Sequence, residues 1–171
     1  MLPSDRLIRV GIITLSDSAF RGERVDKSGP EIYKILTEEG GYSVEAKEVI
    51  PDDEDMIVNA LVRFSDELSL DLILTTGGTG LYPRDVTPEA TKRVIEREVP
   101  GIPELMRLEG LKSTPYAALS RAVSGIRGKT LIVNLPGSVR AVRESLLAIL
   151  PVLKHAVEKV SGDSSPCGKD A

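Results

Sequence analysis

The chain has 171 residues, 41% of them hydrophobic and 28% charged, values typical of a globular protein with one hydrophobic core. Its 22 Lys+Arg against 26 Asp+Glu leave a net charge of -4 and a pI near 5.2, which excludes coating nucleic acid or an anionic membrane through bulk positive charge. One cysteine and one histidine exclude an internal disulfide framework and a zinc finger.

At 4% aromatic residues and no tryptophan, the chain offers no stacking platform for nucleic acid. Met1 to Arg6 carry no apolar run of the signal-peptide kind, and no stretch approaches the ~20 apolar residues that span a bilayer. A cytoplasmic protein with neither a nucleic-acid nor a membrane partner is therefore expected. Arg9 to Leu15 reads as a buried strand, too apolar on both faces for an exposed sheet. A polar loop follows from Ser16 to Lys27. The spacing of Ile32, Ile35 and Leu36 predicts a helix from Ser28 to Glu39, stopped by Gly40-Gly41. Tyr42 to Ile50 reads as a second strand. Asp52 and Asp53 sit where an N-cap would be, ahead of Ile57, Leu61, Phe64 and Leu68 at helical spacing.

Leu70 to Thr75 reads as a third strand that runs into Gly77-Gly78-Thr79-Gly80. Thr87-Pro88-Glu89 opens another helix, with Thr87 as cap and proline at the favoured first position. Pro100, Gly101 and Pro103 break the chain before a helix through Leu111. Ala122 to Ile126 reads as a short strand and Lys129 to Leu135 as a clearer one. Val142, Leu146, Ile149, Leu153 and Val157 stripe the last helix. Residues 1–161 thus form one domain, and the small polar residues 162–171 read as a disordered tail. Alternating strands and helices predict an α/β sandwich with a mostly parallel sheet.

In such a fold, ligands gather beyond the carboxyl ends of the strands. That rule selects Ser16-Asp17, Pro51-Asp52-Asp53, Gly77 to Asp85, and Asn134-Leu135-Pro136-Gly137-Ser138. The densest signal runs from Thr75 to Pro88. Gly77, Gly78 and Gly80, beside the hydroxyls of Thr76 and Thr79, let backbone N–H groups approach an anion closely. Arg84 suits a phosphate, and Asp85 suits a divalent cation or the orientation of a nucleophile. The competing reading is a tight strand-to-helix turn whose glycines serve only the backbone. Asp52 is open to two readings as well, a helix cap or a carboxylate that shares a sheet edge with Asp85. The Asn134 turn is either a plain βα connection or an amide and helix N-terminus suited to a phosphate or heterocycle. Two familiar nucleotide motifs fail. Gly78 to Pro83 ends in proline where the dinucleotide fingerprint needs glycine, and Gly128-Lys129-Thr130 has Val123 at the first P-loop glycine and leads into a strand.

Thr76-Gly77-Gly78-Thr79-Gly80, Arg84-Asp85-Val86-Thr87-Pro88-Glu89-Ala90-Thr91 and Asn134-Leu135-Pro136-Gly137 together resemble the molybdenum-cofactor biosynthesis family, on its molybdopterin adenylyltransferase branch. Ser16-Asp17-Ser18, Asp26-Lys27-Ser28-Gly29, Val49-Ile50-Pro51-Asp52, Leu119-Ser120-Arg121 and Gly125 to Gly128 extend the resemblance over nearly the whole chain. It implies a three-layer α/β/α fold, a homotrimer, and Mg²⁺-assisted transfer of AMP from ATP to molybdopterin with release of pyrophosphate. By matched position it gives Asp52 and Asp85 the family's essential carboxylates and, with them, the Mg²⁺. Thr76 to Gly80, Ser120 and Asn134 to Ser138 fall in its binding motifs. It also implies hand-over of the product to a separate molybdenum-insertion protein, since no insertion domain follows the last helix. Val139 stands where many bacterial relatives have proline.

Overall fold

A computed structural model describes residues 6–164 and Cys167. Strands β1 (Ile8–Leu15), β2 (Tyr42–Ile50), β3 (Leu72–Thr76), β4 (Arg97–Glu98), β5 (Ser124–Arg127) and β6 (Thr130–Leu135) form one sheet in the order β2-β1-β3-β6-β5-β4. The first four in that order are parallel, and β5 and β4 close one edge antiparallel. The sequence explains the order. β1, β3 and β6 are nearly continuous buried runs, as strands covered on both faces must be. Edge strand β2 instead exposes Glu45 and Lys47, charges that discourage pairing with another chain. Gly128-Lys129 is the two-residue turn of the β5–β6 hairpin, with Gly128 at φ 55°, so the false P-loop is a hairpin.

Successive strand residues face opposite layers. Val10, Ile12, Leu72, Leu74, Leu131 and Val133 pack with α2 (Ser28–Glu39), α5 (Gly101–Leu111) and α6 (Val139–Val160). The alternate residues Ile13, Leu15, Ile73 and Ile132 pack with α3 (Glu54–Val62) and α4 (Thr87–Val94). The result is a three-layer α/β/α sandwich. Pro151 lies inside α6, but on its exposed side, where water can reach the carbonyl that the proline leaves without an N–H.

Four local expectations are corrected. Leu68 does not continue the stripe of α3, because Arg63–Glu67 forms a π-turn closed by Leu68 N–H on the Arg63 carbonyl. The extra residue rotates Leu68 outward and brings Leu70 into the core instead. The cap of α3 is Asp53, which accepts from Met56 N–H, and not Asp52. Thr87 is the first helical residue of α4 rather than its cap, and its hydroxyl is used elsewhere. The strand expected from Ala122 starts at Ser124, since Val123 N–H is taken by a side chain. Of the tail expected to be disordered, residues 165, 166 and 168–171 lie outside the described residues.

Candidate active site

β1 has β2 on one side and β3 on the other, so the chain leaves its carboxyl end in one direction and returns in the other. Such a switch point leaves a crevice between neighbouring βα loops. Ser16 opens a short turn of helix, α1 (Asp17–Phe20), by accepting Ala19 N–H on its hydroxyl. The turn aims the Asp17 N–H at Asp52 Oδ2 (3.0 Å), while Asp52 N–H donates to Asp17 Oδ1 (3.0 Å). Arg84 completes the cluster from 67 residues away. Its Nε donates to Asp17 Oδ2 at 2.6 Å and a terminal nitrogen donates to Oδ1 at 2.9 Å. This fork holds the Asp17 carboxyl below the usual carboxylate range. Asp52 moves the other way: burial pushes its carboxyl up, and the charges of Asp17 and Asp85 add to the effect.

The loop after β3 lies against this cluster. Gly77 (φ 97°) and Gly78 (φ 66°) hold left-handed conformations, and a Cβ on Gly77 would run into the Leu15 carbonyl. On Gly78, a Cβ would meet the Thr87 hydroxyl and stand 3.1 Å from Asp52 Oδ1, so one oxygen of Asp52 looks directly at this loop. Asp85 folds back to accept Tyr82 N–H on Oδ2 (3.0 Å). Thr76 donates its hydroxyl to the Pro136 carbonyl (2.7 Å), and Ser28 donates to that of Gly137 (2.6 Å), drawing the turn after β6 into the same edge. Ser138 caps α6 through Ala141 N–H, so the helix starts cleanly at Val139 without a proline.

Two cavities result. One, of about 330 Å³, is lined by Ser16, Asp52, Thr76, Gly77 and the start of α2 at Asp26 to Ser28. The other, of about 440 Å³, is lined by Thr79, Gly80, Ser120, Pro136 and residues of α5 and α6. Gly78, Asp85, Gly137 and Ser138 line both, so the two form one bilobed site with Asp85 at the waist.

Three expected ligand contacts are not among the lining residues. Asn134 is fully buried beneath α4: its Oδ1 accepts Val123 N–H and its Nδ2 donates to the hydroxyls of Thr75 and Thr91. It braces the site rather than facing it, because position 134 falls on the α4 side of β6. Asp17 and Arg84 line neither lobe, as each is occupied by the other.

Three residues that the sequence reading named without a role in the site support it. Arg121 donates to the carbonyls of Gly80 (2.8 Å) and Asp85 (2.6 Å), pairs with Glu89, and so clamps both ends of the Gly80-to-Asp85 loop. Thr87, fully buried, donates its hydroxyl to the Gly77 carbonyl at 3.0 Å. Asp26 accepts the N–H groups of Ser28 and Gly29 and thereby caps α2. A carboxylate two residues before a helix is a cap signal visible in the sequence. The partners of Arg121 are backbone carbonyls, which leave no such mark.

Comparison with known proteins gives the family. The family described as probable molybdopterin binding domain matches residues 11–155. A molybdopterin adenylyltransferase of Helicobacter pylori (strain J99) is 43% identical over 157 residues, which cover 91% of this chain and 89% of that protein. The molybdenum cofactor synthesis protein cinnamon of Drosophila melanogaster is also 43% identical, over 92% of this chain but only 26% of its own length. A crystal structure of the molybdopterin biosynthesis enzyme MoaB from Thermus thermophilus superposes with a TM-score of 0.87 at 56% identity, covering 92% of this chain and 98% of that one. The family match over residues 11–155 and the identity to these relatives settle the family: the chain belongs to the molybdopterin-binding family of molybdenum cofactor biosynthesis.

Proposed function

We propose that the chain is a molybdopterin adenylyltransferase. A phosphate oxygen of molybdopterin bonds to the α-phosphorus of ATP, the bond from that phosphorus to the β-phosphate oxygen breaks, and pyrophosphate leaves. The observation that carries this reading is the bilobed cavity, with room for one substrate in each lobe and Asp85 lining both. The glycine loop admits phosphate oxygens close to the backbone, and the start of α6 at Ser138 contributes the positive end of a 22-residue helix. Thr79 and Ser120 place hydroxyls along the wall of the larger lobe.

Asp52 and Asp85 fit a magnesium ion. Two carboxylates at a phosphate site would repel the substrates unless a cation stood between them; Asp52 is pushed up chiefly by burial, with the charges of Asp17 and Asp85 a smaller addition. Among the described residues no group of three or more His, Cys, Asp or Glu could hold an ion alone. Mg²⁺ commonly takes one or two carboxylates and completes its shell with substrate phosphates and water. When bound, it would neutralise and align the phosphate oxygens. The family resemblance further supports a homotrimer in the cytoplasm whose product passes to a separate insertion protein. No helix among the described residues is long and apolar enough to cross a membrane.

The test is transfer of label from ATP carrying ³²P at the α-phosphate to molybdopterin by the purified chain with Mg²⁺. Adenylylated pterin and pyrophosphate should appear together and only when molybdopterin is present. Pterin binding without either product would make the chain a binding module and overturn the reading.

A further inference from the structure

We propose that Asp17 is a positioning residue that keeps Arg84 off the Asp52–Asp85 pair, and so keeps that pair open to a divalent cation. The proposal rests on the reading of Asp52 and Asp85 as the magnesium carboxylates. The site holds a contradiction: a guanidinium acts on Asp52, a carboxylate in need of a cation, yet touches neither it nor Asp85. Arg84 precedes Asp85 in the chain, and its charge is felt at Asp52 and Asp53 as well as at Asp17. Its hydrogen-bonding reach is spent on Asp17 alone. Among the described residues no Lys, Arg or His forms an ion pair with Asp52 or Asp85.

Asp17 is fully committed. Oδ1 accepts from Asp52 N–H and from Arg84, and Oδ2 accepts from Arg84 Nε. With both oxygens used and no place in either cavity wall, it is not a group that meets substrate. Its backbone N–H meanwhile pins Asp52 Oδ2, which leaves Oδ1 toward Gly78. Asp17 thus fixes the orientation of one metal carboxylate and removes the cation that would compete for it. A fork whose arginine side chain is 53% exposed adds little to stability. Its consequence lies in where it holds the charge. With Asp17 neutral, the carboxylates whose charge still acts on the guanidinium are Asp52 and Asp53. Arginine is always charged and binds carboxylates bidentately, so it would occupy the metal's place.

Asn at position 17 keeps Oδ1 for Asp52 N–H and keeps its own N–H for Asp52, while it takes away the charge and the second oxygen that Arg84 Nε needs, so the bidentate fork is broken. The probe is Mn²⁺, titrated into the nucleotide-free protein and followed by loss of the free-ion electron paramagnetic resonance signal. Asp17→Asn should weaken Mn²⁺ binding roughly tenfold, the scale of one charge a few ångströms away in a partly solvated site. The double variant Asp17→Asn/Arg84→Gln should return to within about twofold of wild type, because the released competitor is gone. The Mg²⁺ concentration at half-maximal turnover should rise in the single variant. If Asp17 only braces the fold, the double variant binds no better than the single one, and the proposal fails. Arg84→Gln alone should bind Mn²⁺ at least as tightly as wild type; weaker binding overturns the proposal even where Asp17→Asn does not fold. Asp85→Asn separates the two layers of the reading. Wild-type Mn²⁺ affinity in that variant removes the metal assignment and this proposal with it. Weakened binding there beside an unaffected Asp17→Asn removes this proposal alone.

Discussion

Asp52 and Asp85 illustrate how a single side chain acquires its role from its surroundings. As a sequence position, Asp52 has a ready structural explanation in a helix cap. The structure gives that task to Asp53, so the half-buried carboxylate next door, which accepts the Asp17 N–H, is released from capping α3. Its folded pKa lies above its unfolded one, chiefly through burial, so the fold prefers the protonated form. Stability from this group is present below the ordinary carboxylate pKa of about 4 and is lost as pH rises through the raised value. Asp52→Asn, neutral at every pH, should therefore melt above wild type near pH 7 without magnesium, and the two curves should meet at about pH 4. Turnover should fall ~100-fold or more, the scale of removing one electrostatic stabiliser. Equal melting temperatures at both pH values would show that Asp52 is not buried at a cost. Asp85→Asn should lose turnover to a similar degree while still binding molybdopterin. Near-wild-type turnover at saturating ATP and Mg²⁺ would end the assignment of that carboxylate. Asp17 carries the opposite sign: Arg84 lowers its pKa, so its contribution holds above the ordinary carboxylate range and disappears as pH falls through the lowered value.

At the scale of elements, α4 is the part that holds the glycine loop in its left-handed shape. Gly77 and Gly78 remain left-handed because Thr87 secures the Gly77 carbonyl and donates its own N–H to the Gly78 carbonyl at 3.1 Å. Thr91 donates to the Thr87 carbonyl, and Asn134 donates to Thr91, so a buried polar chain runs from β6 through α4 to the loop. Thr87→Val keeps the shape but leaves the Gly77 carbonyl without its partner, a loss of about 1–3 kcal/mol. Thr87→Ser should recover most of it, as read from urea midpoints at constant m-value. A valine variant as stable as wild type would mean that the loop needs no such support. Much of this was legible beforehand. The apolar runs gave β1, β3 and β6, the sheet-edge rule chose the four loops, and all five residues read as the stripe of α6 are buried, with Ser145 and Leu150 beside them. What escaped depends on three-dimensional placement. The π-turn at Arg63–Glu67 leaves no distinct pattern, and whether Asn134 faces ligand or core depends on the strand register. The Asp17–Arg84 fork joins positions 67 residues apart.

For the whole molecule, the open question is how many copies assemble. Composition gives no oligomer signal, and a net charge of -4 on 171 residues is too small to keep copies apart by repulsion. The surface is more informative. α5 exposes Leu108 and Leu111, and α6, packed in the same layer, exposes Leu147 and Val152. Single exposed apolar residues need no explanation, but four on two helices of one layer supply the apolar area that a subunit contact buries. The smaller lobe lies among the loops at the carboxyl edge of the sheet, whereas the larger lobe is lined by residues of α5 and α6, so a contact across this helical layer would border the larger lobe. Three copies related by a closed rotation satisfy the family expectation without an open-ended filament. Light scattering coupled to size exclusion should return about three times 18.5 kDa at micromolar concentration. Leu108→Glu combined with Leu147→Glu should shift the mass toward one copy, since charges buried without partners oppose association. A clean monomer in the unaltered chain would remove the trimer, and a trimer indifferent to both glutamates would place its interface on another face.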